Sequence, residues 1–440
     1  MTQSILVTLI SIFLYLSSLL SGIGSSPSSP PAESPKTAET AQVPTSGVVT
    51  GNTVMVYKST DSRDIVATLQ RGDYVDILHR EGSWYKVRLI SGETGYVTTF
   101  TLMPADSPPV VENPATAARR RVVLGYYVVD QRLPSRPSLE NYSHVLTAIS
   151  PWTWEITASG GLVASFGTAE TGQALKLAGE RGLSTYALIH NFALNSKGLQ
   201  NFNATLVNSM LSNPDARRKL VQNILATLKS WQFTGVHIDF EMVMPSDRYN
   251  LQAFLKELYN TLHPAGFEVT MAVPAKDRES VTNSWSGAYD YSALHPYLDL
   301  MMLMTYDEHW RGGAPGPVAS LPWVESVVRF ALNEGVPPEK IVLGVAGYGY
   351  DWPRQGQARA VTYTQAITTA KNYGAQIQWD ATAKVPYFHY GDGRQVWFES
   401  RQSLSYKLGL VNKYGLAGIS LWRLGQEDPG SWQIIQDMFS

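Results

Sequence analysis

Three ionisable residues, His237, Asp239 and Glu241, are spaced two apart within residues 234–241 (TGVHIDFE). Side chains two residues apart lie on the same face of a β-strand, so these three would project together, opposite the apolar residues between them. Two carboxyl groups separated by two strand residues lie about 6–7 Å apart and push each other's proton affinities apart. A carboxyl pair with separated pKa values is suited to general acid–base catalysis.

Two other interpretations of this segment remain open on the sequence. The three side chains could form an inward-facing polar cluster that is merely hydrogen-bonded, since buried polar groups need partners. A His-x-Asp-x-Glu pattern also offers the nitrogen and oxygen ligands that bind a divalent metal. The catalytic interpretation is favoured if the segment ends a strand of an α/β barrel, because active sites lie at that end of the barrel.

From Val122 onward, apolar runs alternate with amphipathic helical segments. Several runs are continuously apolar, which is typical of a parallel sheet covered on both faces. Candidate strands lie at residues 122–128, 144–150, 184–190, 235–241, 268–273, 298–306, 340–348 and 416–422. This pattern predicts the α/β class and a (β/α)8 TIM barrel, with an open doubly wound sheet as the alternative. Residues 354–395 exceed an ordinary loop and predict a small inserted subdomain after the seventh strand.

Polar and aromatic residues also end the sixth and eighth candidate strands. Tyr306 and Asp307 follow Met304 at the end of the sixth strand, where the tyrosine hydroxyl could donate a hydrogen bond and the carboxylate could accept one. Trp422 ends the eighth strand, where an indole ring could support a sugar. Taken singly, Met304 and Tyr306 could equally be an ordinary core methionine and rim tyrosine, and Trp422 could simply cap the barrel.

The part of the chain before the barrel differs in composition. It opens with an uncharged apolar run that predicts a secretory signal peptide, or an uncleaved anchor that would be the protein's only membrane contact. Segments rich in Ser, Pro, Thr and Ala predict linkers, and short strand-like runs between turns predict a small all-β barrel. The predicted divisions are a signal or anchor at 1–24, a linker at 25–46, the small barrel at 47–103, a linker at 104–120 and the main domain at 121–440.

The composition excludes several classes of protein. Of 440 residues, 44% are apolar and 16% charged, which permits a sizeable core and excludes a chain that is disordered throughout. The formal net charge of −2 gives no overall attraction for nucleic acid. The absence of cysteine excludes disulfides, a cysteine nucleophile and cysteine-ligated metals.

The motifs that end the fourth, sixth and eighth strands resemble, in that order, family 18 glycoside hydrolases, the chitinases and N-acetylglucosaminidases. The resemblance covers roughly residues 122–440 and is strongest to the spore-germination branch, which acts on peptidoglycan of the spore cortex. Residues 47–103 resemble a bacterial Src-homology-3-like module, a common cell-wall attachment domain. The segments that match the spore-germination branch of family 18 include AVPAKD (272–277), MTYDEHW (304–310), GPVASLPWV (316–324), IVLGVAGYGYDWP (341–353) and GISLWRLGQEDPGSW (418–432).

The family resemblance implies substrate-assisted, retaining hydrolysis that needs no metal and no organic cofactor. The substrate's own 2-acetamido oxygen would attack the anomeric carbon. Glu241 would protonate the leaving oxygen and later activate water, Asp239 would hold the acetamido N–H, and Tyr306 would hydrogen-bond the acetamido oxygen. The substrate-binding residues that the resemblance implies are Trp422, Asp307 and Met304.

The sequence departs from the family motif, Asp-Gly-x-Asp-x-Asp-x-Glu, at two positions. Thr234 replaces the first Asp and His237 replaces the second. The residue at the second position normally shares a proton with the Asp carried here by Asp239. We therefore expect His237 to tune the site by donating a hydrogen bond to Asp239 and, when charged, by keeping that carboxyl ionised, which would alter the acidic limb of the pH profile.

The sequence thus predicts an exported glycosidase that cleaves β-1,4 bonds after N-acetylglucosamine in peptidoglycan. Its partners would be this glycan and, through residues 47–103, the cell wall. It would act outside the cell or in the envelope, with the spore cortex or coat as candidate places. The alternatives are a non-catalytic carbohydrate-binding wall or spore-coat protein, and a chitinase. Retention of Glu241, Asp239 and Tyr306 favours an enzyme, because a binding protein does not need all three.

Overall fold

The computed structural model describes residues 45–49, 53–70, 74–89, 93–105, 121–164, 167–194 and 200–439. The described residues fall into two compact units, 45–105 and 121–439. The predicted signal or anchor at 1–24 lies outside the described residues, as does most of each predicted linker. In the part of the chain that the structure describes, no helix is both long and apolar enough to cross a membrane.

The smaller unit is an all-β sheet with a core of alternating apolar residues that includes Val54, Val56 and Val97. Its strands lie in the spatial order β3-β2-β6-β5-β4-β1-β7. The prediction of a small all-β domain is confirmed, although it extends past 47–103 at both ends because β1 and β7 pair with each other. The strands are β1 (Thr45–Val49), β2 (Thr53–Tyr57), β3 (Ile65–Gln70), β4 (Tyr74–Glu81), β5 (Trp84–Arg88), β6 (Thr94–Thr98) and β7 (Leu102–Ala105).

The larger unit alternates strands with helices along the chain. Its strands are β8 (Val122–Tyr127), β9 (Ala148–Ile156), β10 (Leu162–Ala164), β11 (Ser184–His190), β12 (Phe192–Leu194), β13 (Gln200–Phe202), β14 (Gly235–Asp239), β15 (Glu268–Pro274), β16 (Leu300–Met304), β17 (Ile341–Ala346), β18 (Tyr348–Trp352), β19 (Arg359–Thr362), β20 (Gln378–Asp380), β21 (Val385–Tyr390), β22 (Arg394–Phe398) and β23 (Gly418–Trp422). Its α-helices are Arg136–Tyr142, Thr168–Glu180, Ala204–Leu211, Pro214–Trp231, Arg248–Leu262, Tyr291–Leu294, Leu321–Asn333, Tyr363–Tyr373, Arg401–Tyr414 and Ser431–Phe439.

Eight parallel strands close into a barrel, with β8 pairing on one side with β9 and on the other with β23. The closure confirms the (β/α)8 barrel and excludes the open doubly wound sheet. Residues that face outward, such as Val236 and Ile238, pack against the helices in the main hydrophobic core. Residues that face inward, such as Leu124, Tyr126 and Met302, fill the barrel. The barrel strands, in spatial order, are β8, β9, β11, β14, β15, β16, β17 and β23.

The helix Pro214–Trp231 delivers the chain to β14. It begins where the Asn213 side chain accepts hydrogen bonds from the N–H groups of Asp215 and Ala216, with proline at the first helical position. It ends at Gln232, whose left-handed backbone (φ 57°) terminates the helix before β14 begins at Gly235. The local sequence therefore determines where the strand that carries the three ionisable residues starts.

Two elements differ from their predicted bounds by more than a shortening at the ends. The second barrel strand is Ala148–Ile156 rather than 144–150, because its far end pairs antiparallel with β10 and continues past the barrel. The inserted subdomain starts at Tyr348 rather than Arg354. Residues 348–352 form β18, an inner strand of a five-stranded sheet in the order β19-β18-β22-β21-β20, instead of extending the seventh barrel strand.

A buried ion pair joins the end of the inserted subdomain to the next barrel helix. Lys407 Nζ lies 2.6 Å from Glu399 Oε2, and both side chains are almost fully buried. Replacing Lys407 with Met would leave the Glu399 carboxylate buried without its cation. We expect Lys407→Met to lower the free energy of unfolding by about 3–5 kcal/mol, measured by urea denaturation.

The same substitution at Lys413 is the matched control. This lysine lies on the same helix as Lys407 and pairs with Glu325 of the helix Leu321–Asn333, but its side chain is half-exposed. Lys413→Met should cost less than about 1 kcal/mol. Equal losses for the two variants would show that the Glu399–Lys407 pair is hydrated and contributes no more than a surface pair.

Candidate active site

His237, Asp239 and Glu241 lie on and just after β14, the fourth barrel strand. In the strand pairing, His237 lies opposite Leu188 of β11 on one side and Thr270 of β15 on the other, while Asp239 lies opposite His190 of β11. The strand ends at Asp239, so Glu241 follows it at the C-terminal rim of the barrel. Active sites of (β/α)8 barrels form at this rim.

His237 is fully buried and both of its ring nitrogens are hydrogen-bonded. The Thr270 hydroxyl donates to the carbonyl oxygen of Val236 (2.9 Å), so it accepts a hydrogen bond from His237 Nδ1, which lies 2.9 Å away. Nε2 is then the unprotonated nitrogen, and it accepts from the Tyr126 hydroxyl at 3.1 Å. Burial lowers the pKa of His237 to about 3, so the imidazole is neutral at physiological pH.

These contacts correct the predicted role of His237. The expected hydrogen bond from His237 to Asp239 is absent, because Thr270 and Tyr126 take both ring nitrogens. The ring is also neutral, so it does not hold Asp239 ionised by charge. The same two hydrogen bonds occupy both nitrogens that a metal could use, and among the described residues no group of His, Asp and Glu is arranged to hold a metal ion.

The two carboxyl groups of the motif lie where water is largely excluded. Burial raises the pKa of Asp239 to about 7, against a smaller opposing effect of the Trp152 side chain. Burial, together with the negative charges of Asp239 and Asp307, raises the pKa of Glu241 well above its usual value. The raised pKa favours the protonated form of Glu241, the form that a general acid needs.

The main chain around Glu241 is held by side chains from the neighbouring strands. Asn191, directly after β11, accepts a hydrogen bond from the N–H of Glu241 (2.9 Å) and donates one to its carbonyl oxygen (2.8 Å). On the other side, the Tyr289 hydroxyl donates to the carbonyl oxygen of Phe240 (2.6 Å). Sequence reasoning missed Asn191, although a polar residue immediately after a buried barrel strand is the signal that identified the other candidates.

The candidates at the end of β16 lie on the same rim. Tyr306 is close enough to Asp239 and Glu241 for their charges to raise its pKa, with burial as the larger cause. Asp307 has a left-handed backbone (φ 62°), and its Oδ1 accepts hydrogen bonds from the hydroxyls of Tyr348 (2.5 Å) and Tyr350 (3.0 Å). These two tyrosines, on the first strand of the inserted subdomain, connect it to the barrel rim and were not identified from the sequence.

Met304 and Trp422 complete the set of sequence candidates. Met304 ends β16 and is 7% exposed, while Trp422 ends β23 and is half-buried. The Trp422 ring makes edge-type contacts with Tyr126, at a centroid distance of 5.2 Å, and with Trp152, at 6.3 Å. Contacts on two sides fix the plane of the indole, as a rigid sugar-supporting surface requires.

Comparison with known proteins identifies both parts of the chain. The family model described as glycosyl hydrolases family 18 matches residues 200–427, more than half of the chain. The chain belongs to glycosyl hydrolase family 18. A bacterial SH3 domain model matches residues 56–101, within the smaller unit. The resemblances stated from the sequence are therefore confirmed, and this family 18 chain is a glycosidase.

Its relatives include both spore proteins and chitinases. YdhD of Bacillus subtilis (strain 168), provisionally named a sporulation-specific glycosylase, is 35% identical over 318 residues, or 70% of this chain and 73% of YdhD. The spore cortex-lytic enzyme SleL of Bacillus megaterium QM B1551 shares 26% identity with a TM-score of 0.66, covering 84% of this chain and 89% of SleL. A chitinase from Chromobacterium violaceum ATCC 12472 shares 30% identity with a TM-score of 0.68, covering 73% and 99%.

The depressed pKa of His237 makes the stability of this family 18 barrel depend on pH. An unfolded histidine binds a proton below pH about 6.5, whereas folded His237 stays neutral until about pH 3. Between these values the unfolded state binds the extra proton, so the stability contribution is present above pH 6.5 and declines as pH falls. Because Asn does not titrate, the wild-type advantage over His237→Asn in urea unfolding should shrink by about 2 kcal/mol from pH 7 to pH 5.

The same substitution at the exposed residue His389 is the matched control for the change of side chain. A wild-type advantage over His237→Asn that does not change with pH would mean that the folded site accepts a proton on His237.

Proposed function

We propose that this glycosidase cleaves β-1,4 bonds after N-acetylglucosamine in peptidoglycan by substrate-assisted catalysis with net retention. The observation that supports this most strongly is the pair of carboxyl groups at the end of the fourth barrel strand, buried Asp239 and half-buried Glu241, both with raised pKa values. Glu241 has the raised pKa of a proton donor. Tyr306 lies close enough to both for their charges to act on its hydroxyl.

In the proposed first step, Glu241 donates its proton to the glycosidic oxygen of the leaving sugar. The acetamido oxygen of the substrate attacks the anomeric carbon, the glycosidic bond breaks, and an oxazolinium ion forms. Asp239 accepts a hydrogen bond from the acetamido N–H and stabilises its developing positive charge, while Tyr306 donates to the acetamido oxygen and positions it. In the second step, ionised Glu241 takes a proton from water as that water attacks the anomeric carbon. The bond from this carbon to the acetamido oxygen breaks, which restores both the acetamido group and the acid.

The remaining rim residues would bind the sugar whose bond is cleaved. Trp422 offers an indole whose plane is fixed by Tyr126 and Trp152, and aromatic faces suit the apolar face of a sugar ring. Asp307 presents a carboxylate held in place by two tyrosine hydroxyls, suited to accept hydrogen bonds from sugar hydroxyls. Met304 adds apolar contact beneath them.

The peptidoglycan assignment rests on the relatives. The likeness to spore cortex-lytic SleL and to YdhD, together with a bacterial SH3 domain, supports a substrate in the cell envelope and places of action such as the spore cortex or coat. This location requires export, which the apolar run within residues 1–24 would direct. The likeness to the C. violaceum chitinase supports chitin as a second candidate substrate.

The central test compares residues 45–440 and a Glu241→Gln variant on purified peptidoglycan, spore-cortex fragments and chitin oligomers, with products identified by mass spectrometry. Glutamine keeps the size of the side chain but has no proton to donate to the leaving oxygen. We expect wild type to produce new reducing-end N-acetylglucosamine from peptidoglycan or cortex, and Glu241→Gln to be at least about 1,000-fold slower, within the range spanned by acid–base and electrostatic contributions.

Glu180→Gln, an identical change at an exposed helical position, should leave the rate unchanged. Cleavage of chitin oligomers without cleavage of either wall substrate would replace the peptidoglycan assignment with chitin. Failure of wild type to cleave any of the three would favour the carbohydrate-binding alternative.

A second test concerns the smaller unit and the cell wall. Each compact unit has its own hydrophobic core, so residues 45–440 and residues 121–440 can be compared, both carrying Glu241→Gln to prevent digestion. We expect several-fold more of the longer chain to sediment with purified walls, because the smaller unit adds a second attachment to the same polymer. Equal retention of the two chains would show that the smaller unit is a spacer.

A further inference from the structure

We infer that Asn191 is a positioning residue that orients Glu241 for proton donation. This inference rests on the proposed role of Glu241 as the acid, and it concerns a residue outside the family motif. One planar side-chain amide forms hydrogen bonds with both the N–H and the carbonyl oxygen of Glu241, at 2.9 Å and 2.8 Å. Two hydrogen bonds from one rigid amide fix the rotation of the Glu241 main chain as well as its position.

The need for this contact follows from where the sheet ends. Pairing between β11 and β14 stops at His190 and Asp239, so Glu241 has no ladder partner on that side. The chain then turns away through Met242, whose backbone is left-handed (φ 57°). The Asn191 amide supplies the donor and acceptor that a neighbouring strand would have supplied, two residues beyond the last paired position.

Asn191 is itself held firmly enough to act as a support. It is fully buried, and its main-chain oxygen accepts a hydrogen bond from the N–H of Asn203 (2.9 Å). Its side-chain nitrogen also contacts the carbonyl oxygen of Asn203 (3.3 Å). Phe192 and Phe202, the residues next to Asn191 and Asn203, pair with each other in the antiparallel strands β12 and β13. Asn191 therefore cannot adopt another rotamer without breaking three buried hydrogen bonds.

The position of the general acid affects the cleavage rate most for substrates whose leaving group needs a proton. An alkoxide leaving from a natural glycan needs a proton as the bond breaks, whereas 4-nitrophenolate is a stable anion and leaves without one. The ratio kcat/KM reports only the steps up to glycosidic bond cleavage, so the later role of Glu241 as a base does not enter it. A misplaced Glu241 should therefore lower kcat/KM for the glycan and spare the 4-nitrophenyl glycoside of the same sugar chain.

The test measures kcat/KM of Asn191→Ala on the unactivated glycan and on the corresponding 4-nitrophenyl glycoside. We expect a loss of about 10- to 100-fold on the glycan, the size associated with a misplacement of about 1 Å, and less than about 3-fold on the activated substrate. A residue with a merely structural role would lower both values by the same factor, so equal losses would overturn the inference.

Asn191→Asp gives a second, independent readout if the alanine variant folds poorly. The ionised carboxylate can accept from the N–H of Glu241 but cannot donate to its carbonyl oxygen, whereas the protonated form can do both. The glycan activity of Asn191→Asp relative to wild type should therefore rise as pH falls, by about 10-fold across the titration of the new carboxyl group. A ratio that is constant with pH would contradict the proposed two-point contact.

Two controls separate this inference from the proposed function. Ser150→Ala removes a buried barrel hydrogen bond of similar length, from Ser150 Oγ to the carbonyl oxygen of Tyr186 (3.1 Å), and should change both substrates equally. If Glu241→Gln retains glycan activity, the proposed function fails. If Glu241→Gln is inactive on the glycan while Asn191→Ala lowers both substrates equally, the function stands and the inference about Asn191 is wrong.

Discussion

This site depends on two carboxyl groups that are largely removed from water at the rim of an apolar barrel. Their charged forms are therefore costly. Burial is the largest influence on both Asp239 and Glu241, and among the described residues no lysine or arginine acts on either of them. The cost of holding charge there therefore raises the pKa of both carboxyl groups. The raised pKa of Glu241 is also what its proposed role as a proton donor uses, so the burial that costs stability is the source of reactivity.

The neutral imidazole of His237 fits the same constraint. Family 18 sequences usually carry an aspartate at this position, which would add a third carboxyl group to the barrel interior. Here the buried ring is neutral and its two nitrogens are satisfied by Tyr126 and Thr270, so the substitution adds no charge below Asp239. Asp239 consequently has no proton-sharing neighbour on its own strand. Its environment is instead formed by the buried barrel interior and the adjacent aromatic side chains of the rim.

At the rim, side chains supply hydrogen bonds of the kind that the main chain supplies within the barrel. Where the barrel ladder ends, side chains from neighbouring strands take over the hydrogen bonding. Asn191 and Tyr289 hold the main chain of residues 240–241, and Tyr348 and Tyr350 hold the carboxylate of Asp307. Side-chain support at such points keeps the reactive groups in place.

The sequence by itself determined the barrel and the pairing of Asp239 with Glu241. Continuous apolar runs specify buried parallel strands, and the two-residue period of a strand places alternate side chains on one face whatever surrounds them. Only the tertiary structure decided that His237 contacts Tyr126 and Thr270, and that Asn191 contacts Glu241. Those partners come from other strands, and a hydrogen bond requires its two atoms to lie within about 3 Å in a suitable direction. Spacing along one strand carries no information about which atoms of its neighbours meet that requirement.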